Sequence, residues 1–277
     1  MSLRGWWHGL ISDDRSRNDP ARRVTGSPPS ANGASSFHLG WVLPGSCRAM
    51  SVVLEVLEPP VVPRLYFWAL QADVANAGGR VGGAHLGLQW HRSHPGATAV
   101  NWGGYHSSGG ELDGTVSALP SATSNPNTRD FAWRPGRRYR LSIEPVVGAG
   151  PRSEGARDVA SAVSWRGSVR DLETGELTVV RDLHLPGDRI VGATMWSEVF
   201  ARCDDPATTV RWSSPRAHTS DGDHEIQRVQ VNYQSHQDGG CANTSSVSDG
   251  IGLVQQTNTQ RRTPQSTSLA VPWPAGP

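Results

Sequence analysis

Residues 138–144, Arg-Tyr-Arg-Leu-Ser-Ile-Glu, alternate strictly between polar and apolar side chains. Successive side chains of an extended chain point to opposite faces, so the apolar residues at 139, 141 and 143 would share one face. The four polar residues would lie on the other face. This pattern predicts an antiparallel strand with one face in a core and the other in solvent.

Comparable short runs occur on both sides of this strand, separated by Gly-, Pro- and Asn-containing turn signals about every ten residues. The predicted strands are 51–57, 65–74, 84–90, 97–105, 162–171, 176–183, 189–200, 208–212 and 225–233. No stretch keeps a helical period of about 3.6 residues over more than two turns. We therefore predict an all-β protein with at least ten strands in two packed sheets and less than about 10% helix.

The composition fits one loop-rich β domain rather than several helical ones. The chain has 277 residues, of which only 18% are charged, with 31 Gly, 20 Pro and 11 Trp. We predict an irregular segment over 1–36, a β-sandwich domain over 37–260, and a disordered tail over 261–277, which is polar and rich in Pro.

Charge and hydropathy exclude several partners. The net charge is +1, which gives no global field for nucleic acid or anionic membranes. No apolar run approaches the roughly 18 residues of a membrane-spanning helix. All 26 basic residues are Arg, so the chain offers no lysine for Schiff-base or phosphate chemistry.

Five segments in order resemble a bacterial family of unknown function, including actinobacterial secreted members. Residues 131–141 (FAWRPGRRYRL) resemble its W-x-P-G-x-x-Y-x strand, and 171–176 (DLETGE) resemble its D-x-E-T-G-E hairpin. Residues 195–200 (MWSEVF), 231–234 (VNYQ) and 239–244 (GGCANT) resemble later segments. The resemblance implies a concanavalin-A-like jelly-roll β-sandwich of two antiparallel sheets, from a family that often accompanies carbohydrate-active domains. It implies no reaction.

The same resemblance favours secretion, although the first residues lack the apolar core of a signal peptide, which keeps a cytoplasmic location open. Three cysteines allow at most one intrachain disulfide. Cys203 and Cys241 each follow a predicted core strand within the part that resembles secreted proteins. We predict that these two are bonded and that Cys47 is free.

Aromatic and polar residues on the predicted hairpin 84–105 suggest a ligand platform, because aromatic faces stack on sugar rings. The platform would contain Trp90, Asn101, Trp102 and Tyr105, and the polar residues expected to face it are Gln71, Gln89 and Arg140. The alternative is core packing, since most of the eleven Trp residues in a sandwich must lie inside.

Two carboxylates are weak catalytic candidates. Glu198 lies in an apolar strand, where an unpaired charge is costly; an ion pair with an arginine such as Arg211 is the structural alternative. Glu111 and Asp113 resemble part of the E-x-D-x-x-E strand of retaining glucanases, but Val116 stands where the second Glu would be.

Candidate metal ligands form no recognised signature, so we predict no metal and no cofactor. His85, His91, His94 and His106 lie within 22 residues, and His106 is also a weak candidate partner for a catalytic carboxylate. The Asp-rich turns at 204–205 and 221–223 supply carboxylate oxygens, so a structural Ca²⁺ site in these turns is an alternative. Solvated loops are the alternative for both groups.

We therefore predict a carbohydrate- or polymer-binding sandwich without catalytic activity, whose partner is a carbohydrate or another small molecule. The first alternative is an enzyme of the same fold, a glycoside hydrolase, lyase or small-molecule cyclase, that uses Glu198 or Glu111 with a nearby His as general acid/base. The second is a structural or assembly subunit.

Overall fold

The computed structural model describes residues 23–146 and 164–273. These residues form sixteen strands and one short 3-10 turn (Pro95–Ala97), with no α-helix among them. In chain order the strands are β1 (Ser35–Trp41), β2 (Ala49–Glu58), β3 (Tyr66–Asn76), β4 (Gly79–Trp90), β5 (Thr98–His106), β6 (Thr128–Asp130), β7 (Arg138–Val146), β8 (Ser164–Asp171), β9 (Leu177–His184), β10 (Arg189–Val199), β11 (Thr209–Thr219), β12 (Gly222–Glu225), β13 (Arg228–Tyr233), β14 (Ser245–Ser248), β15 (Leu253–Gln256) and β16 (Ser268–Ala270).

The strands form two antiparallel sheets. The first has the order β16-β13-β1-β10-β3-β4-β5-β6. The second has the order β14-β15-β11-β2-β7-β8-β9, with β12 paired to β11. The predicted all-β sandwich of two antiparallel sheets is confirmed.

The core lies between the two sheets and is filled from the inner face of each strand. On β7, Tyr139, Leu141 and Ile143 are buried as the alternation predicts. Four Trp residues that are at most 1% exposed occupy much of the space: Trp68, Trp102, Trp165 and Trp212. This burial accounts for much of the unusual Trp content, since each Trp removes a large apolar surface from water.

The prediction of a disordered tail is wrong for residues 261–273. Ser268–Ala270 forms β16 and pairs with β13 at the edge of the first sheet. Trp273 Nε1 then donates a hydrogen bond of 3.1 Å to the carbonyl of Ile226. The strand gains its order from these contacts, which polar and Pro-rich composition does not reveal. Residues 274–277, like most of the predicted irregular segment 1–36, lie outside the described residues.

The predicted disulfide is confirmed. Cys203 and Cys241 are bonded, with their Cα atoms 5.4 Å apart, and Cys47 is free and buried. The bond joins the segment after β10 to the connection between β13 and β14. No helix in the described part of the chain is long and apolar enough to cross a bilayer.

Candidate functional site

A groove of about 810 Å³ runs over the outer face of the first sheet. Its floor comes from β1, β10, β3, β4 and β5, and loops around Asn127 and Gln265 contribute to its sides. The side chains reach the groove through strand alternation. On β10, Thr194, Trp196 and Glu198 face the groove, whereas the intervening Met195 packs in the core.

Glu198 is a half-buried carboxyl in the middle of this surface. Its cross-strand neighbours are Ser36 on β1 and Phe67 on β3. Asn32 Nδ2 donates a hydrogen bond of 3.4 Å to Glu198 Oε1. Burial raises the pKa of Glu198 to about 7, and the Asn32 hydrogen bond opposes the rise only in part. The carboxyl therefore changes its charge near neutral pH.

The structural alternative for Glu198, an ion pair with Arg211, is wrong. Arg211 lies on β11 in the other sheet, 2.8 Å from Glu55 and 2.7 Å from Asp249. No described cation forms an ion pair with Glu198. The desolvation of its carboxyl is therefore left uncompensated by charge, which is the physical reason for the raised pKa.

Two histidines share the groove with Glu198. Burial lowers the pKa values of His38 and His85 to about 4, so both rings are neutral at pH 7. The His85 ring centroid lies 5.6 Å from that of Phe67 and 5.9 Å from that of Trp196, in edge-to-face contacts. The histidines can accept and donate hydrogen bonds here without adding positive charge.

Four buried polar atoms of groove-lining residues have no hydrogen-bond partner among the residues that the structure describes. They are His38 Nδ1, Gln89 Oε1, Asn101 Oδ1 and Trp196 Nε1. A buried polar atom without a partner costs roughly 1–3 kcal/mol. Such atoms, clustered in one groove, indicate a surface that completes its hydrogen bonds with a ligand.

A second carboxyl, Glu111, lies at the exposed rim of the groove. The backbone of Glu111 bridges to that of Tyr105. Burial raises the pKa of Tyr105, and the charges of Glu111 and Glu198 raise it further. Both carboxyls are therefore close enough to Tyr105 to raise the pKa of its phenol through their charges, although only Glu198 is desolvated.

Apart from these two carboxyls, the described lining is uncharged. It contains no arginine, and most of its polar groups are amides, hydroxyls and neutral imidazoles. The apolar part is provided by Leu65, Phe67, Trp196 and Phe200. This combination suits a neutral ligand with many hydrogen-bonding groups.

Of the predicted ligand residues, Gln71, Gln89, Asn101 and Tyr105 line the groove. The prediction that Trp90 and Trp102 share this surface with Tyr105 is wrong. Trp102 is 0% exposed in the core, because residues 102 and 105 alternate to opposite faces of β5.

Trp90 also faces away from the groove. It packs on Trp133, with ring centroids 6.4 Å apart, and donates a 3.1 Å hydrogen bond to the carbonyl of Val62. The aromatic side chains of the groove are instead Phe67, Tyr105, Trp196 and Phe200. The pairing of β3 with β10, which places Phe67 beside Trp196, has no local sequence signal.

Arg140 was predicted to face the groove, but β7 belongs to the second sheet, so the side chain lies on the opposite side of the molecule. The four histidines do not converge either. His85 lines the groove, whereas His106 does not. His91 and His94 contact each other at a centroid distance of 5.0 Å, and His94 Nδ1 is bound to Asp130.

The described residues contain no group of three or more His, Cys, Asp or Glu placed to hold a metal ion. In the Asp-rich turns, Asp204 is bound by Arg202 and by the Gly26 amide, and Asp221 is bound by the Thr219 hydroxyl.

No protein-family profile and no curated protein matches the chain. Solved structures that match the chain include a Scytalido-glutamic peptidase bound to a peptide-based transition-state analogue, at 9% identity and a TM-score of 0.43, covering 80% of this chain and 98% of that one. They also include SCP-B, an Eqolisin-family peptidase bound to the tripeptide Ala-Ile-His, at 10% identity and a TM-score of 0.40, covering 84% and 99%. A TM-score below 0.5 does not define a common fold.

Proposed function

We propose that the protein is a hydrolase that binds an extended, uncharged polymer in the groove, with Glu198 as its general acid/base. The observation that carries this proposal is the burial of an unpaired carboxyl in a groove, which raises its pKa to about 7. A general acid/base is most effective when its pKa is close to the working pH, and enzymes raise the pKa of Glu to this range by burial.

Gln89 supplies a polar group on the same face as Glu198, with Phe67 between them. Both pair with Phe67, one on each side, so their side chains stand two strands apart on the same face, with Cα atoms about 10 Å apart. Gln89 is 6% exposed, and its Oε1 has no hydrogen-bond partner among the described residues. The Nε2–H of the same amide can donate to an oxygen that gains negative charge during acyl transfer, while Oε1 can only accept.

This arrangement supports hydrolysis of a peptide bond. Ionised Glu198 would take a proton from water as the water attacks the carbonyl carbon, and Gln89 would donate to the resulting oxyanion. Protonated Glu198 would then give the proton to the leaving nitrogen. A glycosidase normally needs two carboxyls flanking one bond, and here the second one, Glu111, is exposed at the rim.

The test is cleavage of a mixed peptide library, followed by mass spectrometry, beside a panel of neutral polysaccharides. We expect peptide cleavage, with a pH profile that has a limb near pH 7. Glu198→Gln should lower kcat/KM by about 10²–10⁴-fold, because it removes the acid/base group. Glu176→Gln, which changes an exposed turn residue, is the matched control. An unchanged rate in Glu198→Gln would refute the proposal.

A second candidate is carbohydrate binding without catalysis, which the groove aromatics Phe67 and Trp196 and the amide of Asn101 support. Sugar rings stack on such faces while amides bind hydroxyls. A glycan array with the wild type and Trp196→Ala tests it. Glycan binding that depends on Trp196, with no cleavage of peptides or glycans, would favour this candidate over the hydrolase.

A further inference from the structure

Three arginines lie together on the outer face of the second sheet, on the opposite side of the molecule from the groove. Arg140 on β7 and Arg170 on β8 are direct cross-strand partners. Their Cβ atoms are therefore about 5 Å apart, a position in which like charges destabilise a sheet. Arg216 on β11 is on the same face, opposite Ser51 of β2. We call these three residues the arginine cluster.

Arg140 and Arg170, unlike Arg216, have no carboxylate partner among the described residues, and the nearby Glu55 is engaged elsewhere. Glu55 is held by Arg211 at 2.8 Å. Arg170 Nη1 donates to the carbonyl of Gly175 at 2.8 Å, and no described carboxylate forms an ion pair with Arg140 or Arg170. Two like charges thus face each other without a counter-charge between them.

Arg216 has a fixed position and unused donor capacity. Its guanidinium lies 5.3 Å above the ring of Trp273 and makes one 3.2 Å ion pair with Glu225. Its Nε is buried and has no hydrogen-bond partner in the described part of the chain. Because Nε is buried, an acceptor from solvent would bind the Nη groups of this ordered guanidinium.

Three serine side chains lie on the same face of the second sheet as the arginine cluster. Ser51, Ser142 and Ser168 are cross-strand neighbours in one row across β2, β7 and β8. Ser142 and Ser168 are each two residues from an arginine of the cluster, so they share its face. Ser51 and Ser168 are buried, so the half-buried Ser142 supplies the accessible O–H donor next to the guanidinium forks, and both kinds of group suit the oxygens of an anion.

We propose that the arginine cluster is a binding site for a tetrahedral oxyanion, a phosphate or sulfate group. Guanidinium groups bind such anions through paired N–H donors, and three of them around one anion replace mutual repulsion by attraction. The positive charges around Arg140 agree with a site for an anion. Burial lowers its pKa, and the nearby charges of Arg216 and Arg170 lower it further.

The test is titration with inorganic phosphate, sulfate and phenyl phosphate, followed by calorimetry and thermal unfolding at constant ionic strength set with NaCl. We expect saturable binding that raises Tm, since the anion binds the folded state. Arg140→Gln and Arg170→Gln should each weaken binding about tenfold, because each removes charged hydrogen bonds. Tighter binding of phenyl phosphate than of phosphate would identify an ester as the natural source.

The matched control is Arg92→Gln/Arg228→Gln, which removes two exposed arginines away from the cluster. It should bind the anions as the wild type does. Without added anion, Arg170→Gln should raise Tm at low salt, because it relieves the repulsion on Arg140. Equal loss of binding in the control variant would show general charge attraction only and would overturn the proposal, as would the absence of saturable binding to the wild type.

Discussion

At the scale of single residues, Glu198 shows which properties of the site could be predicted from the sequence and which could not. Its place among apolar residues in 195–200 predicts a carboxyl whose burial is costly unless it is paired, which makes it a catalytic candidate. The sequence also suggests an ion pair between Glu198 and Arg211, and this prediction is wrong. Whether a charge is paired depends on which sheet the arginine occupies, and Arg211 faces Glu55 and Asp249 on the second sheet.

The raised pKa of Glu198 predicts a pH-dependent stability difference between the wild type and Glu198→Gln. The pKa is about 7 in the folded protein against an ordinary value of 4.5, so the folded state binds the proton more tightly. The stability that the protonated carboxyl contributes is complete below about pH 4.5 and is lost as the pH rises through 7. We expect the wild type to lose roughly 3 kcal/mol relative to Glu198→Gln over this range.

Urea unfolding of both proteins at intervals between pH 4 and 8 measures this difference. Glu176→Gln, at an exposed turn position, is the control and should stay parallel to the wild type. If the free energies of unfolding of Glu198→Gln and the wild type also remain parallel, Glu198 is not desolvated as described.

At the scale of strands, the alternation of side chains was readable, but the relation between strands was not. Within β5, simple counting puts Trp102 on one face and Asn101 and Tyr105 on the other, so the shared platform could have been rejected from the sequence. The separation of Arg140 from the groove could not have been foreseen. It depends on sheet order, which is set by long-range pairing and has no local signature.

Close approach of β3 and β4 explains the glycine at position 87 of β4. A Cβ atom on Gly87 would lie 1.9 Å from the carbonyl oxygen of Trp68, a backbone atom that cannot move aside alone. We expect Gly87→Ala to lower the free energy of unfolding by about 1–3 kcal/mol, the range found for overpacked sites. Gly45→Ala is the matched control, because nothing lies within 4 Å of its Cβ position.

The test is to measure the urea midpoints of the two glycine variants beside the wild type. We expect a lower midpoint for Gly87→Ala than for Gly45→Ala. A Gly87→Ala midpoint equal to that of Gly45→Ala would mean that the two strands are farther apart than described.

At the scale of the whole molecule, the two-sheet sandwich and the disulfide followed from the sequence, whereas the ordered tail did not. Strand periods and turn signals are repeated along the chain, so an error in predicting a single strand does not change the predicted fold class. The tail has one short strand whose order comes from pairing with β13 and from Trp273 binding Ile226. Arg261 and Gln265 also bind the body of the domain through hydrogen bonds, and composition alone does not reveal such specific contacts.

The Cys203–Cys241 bond closes a loop with a sequence separation of 38 and should stabilise the whole domain. Its chain-entropy contribution is roughly 3–4 kcal/mol, because the bond restricts the unfolded chain. We expect Cys203→Ala/Cys241→Ala to lose about this much in urea unfolding. Dithiothreitol should destabilise the wild type and leave the variant unchanged. A wild type insensitive to reductant after full reduction would contradict this contribution.

The central claim is that the groove holds a carboxyl which titrates near neutral pH. The most direct measurement is a ¹³C NMR titration of protein labelled at the Glu side-chain carboxyl carbon, with Glu198→Gln used to assign the resonance that disappears. The structure predicts a midpoint of about 7 for Glu198. A midpoint at the ordinary value of 4.5 would contradict the desolvated site and remove the basis of the proposed hydrolase.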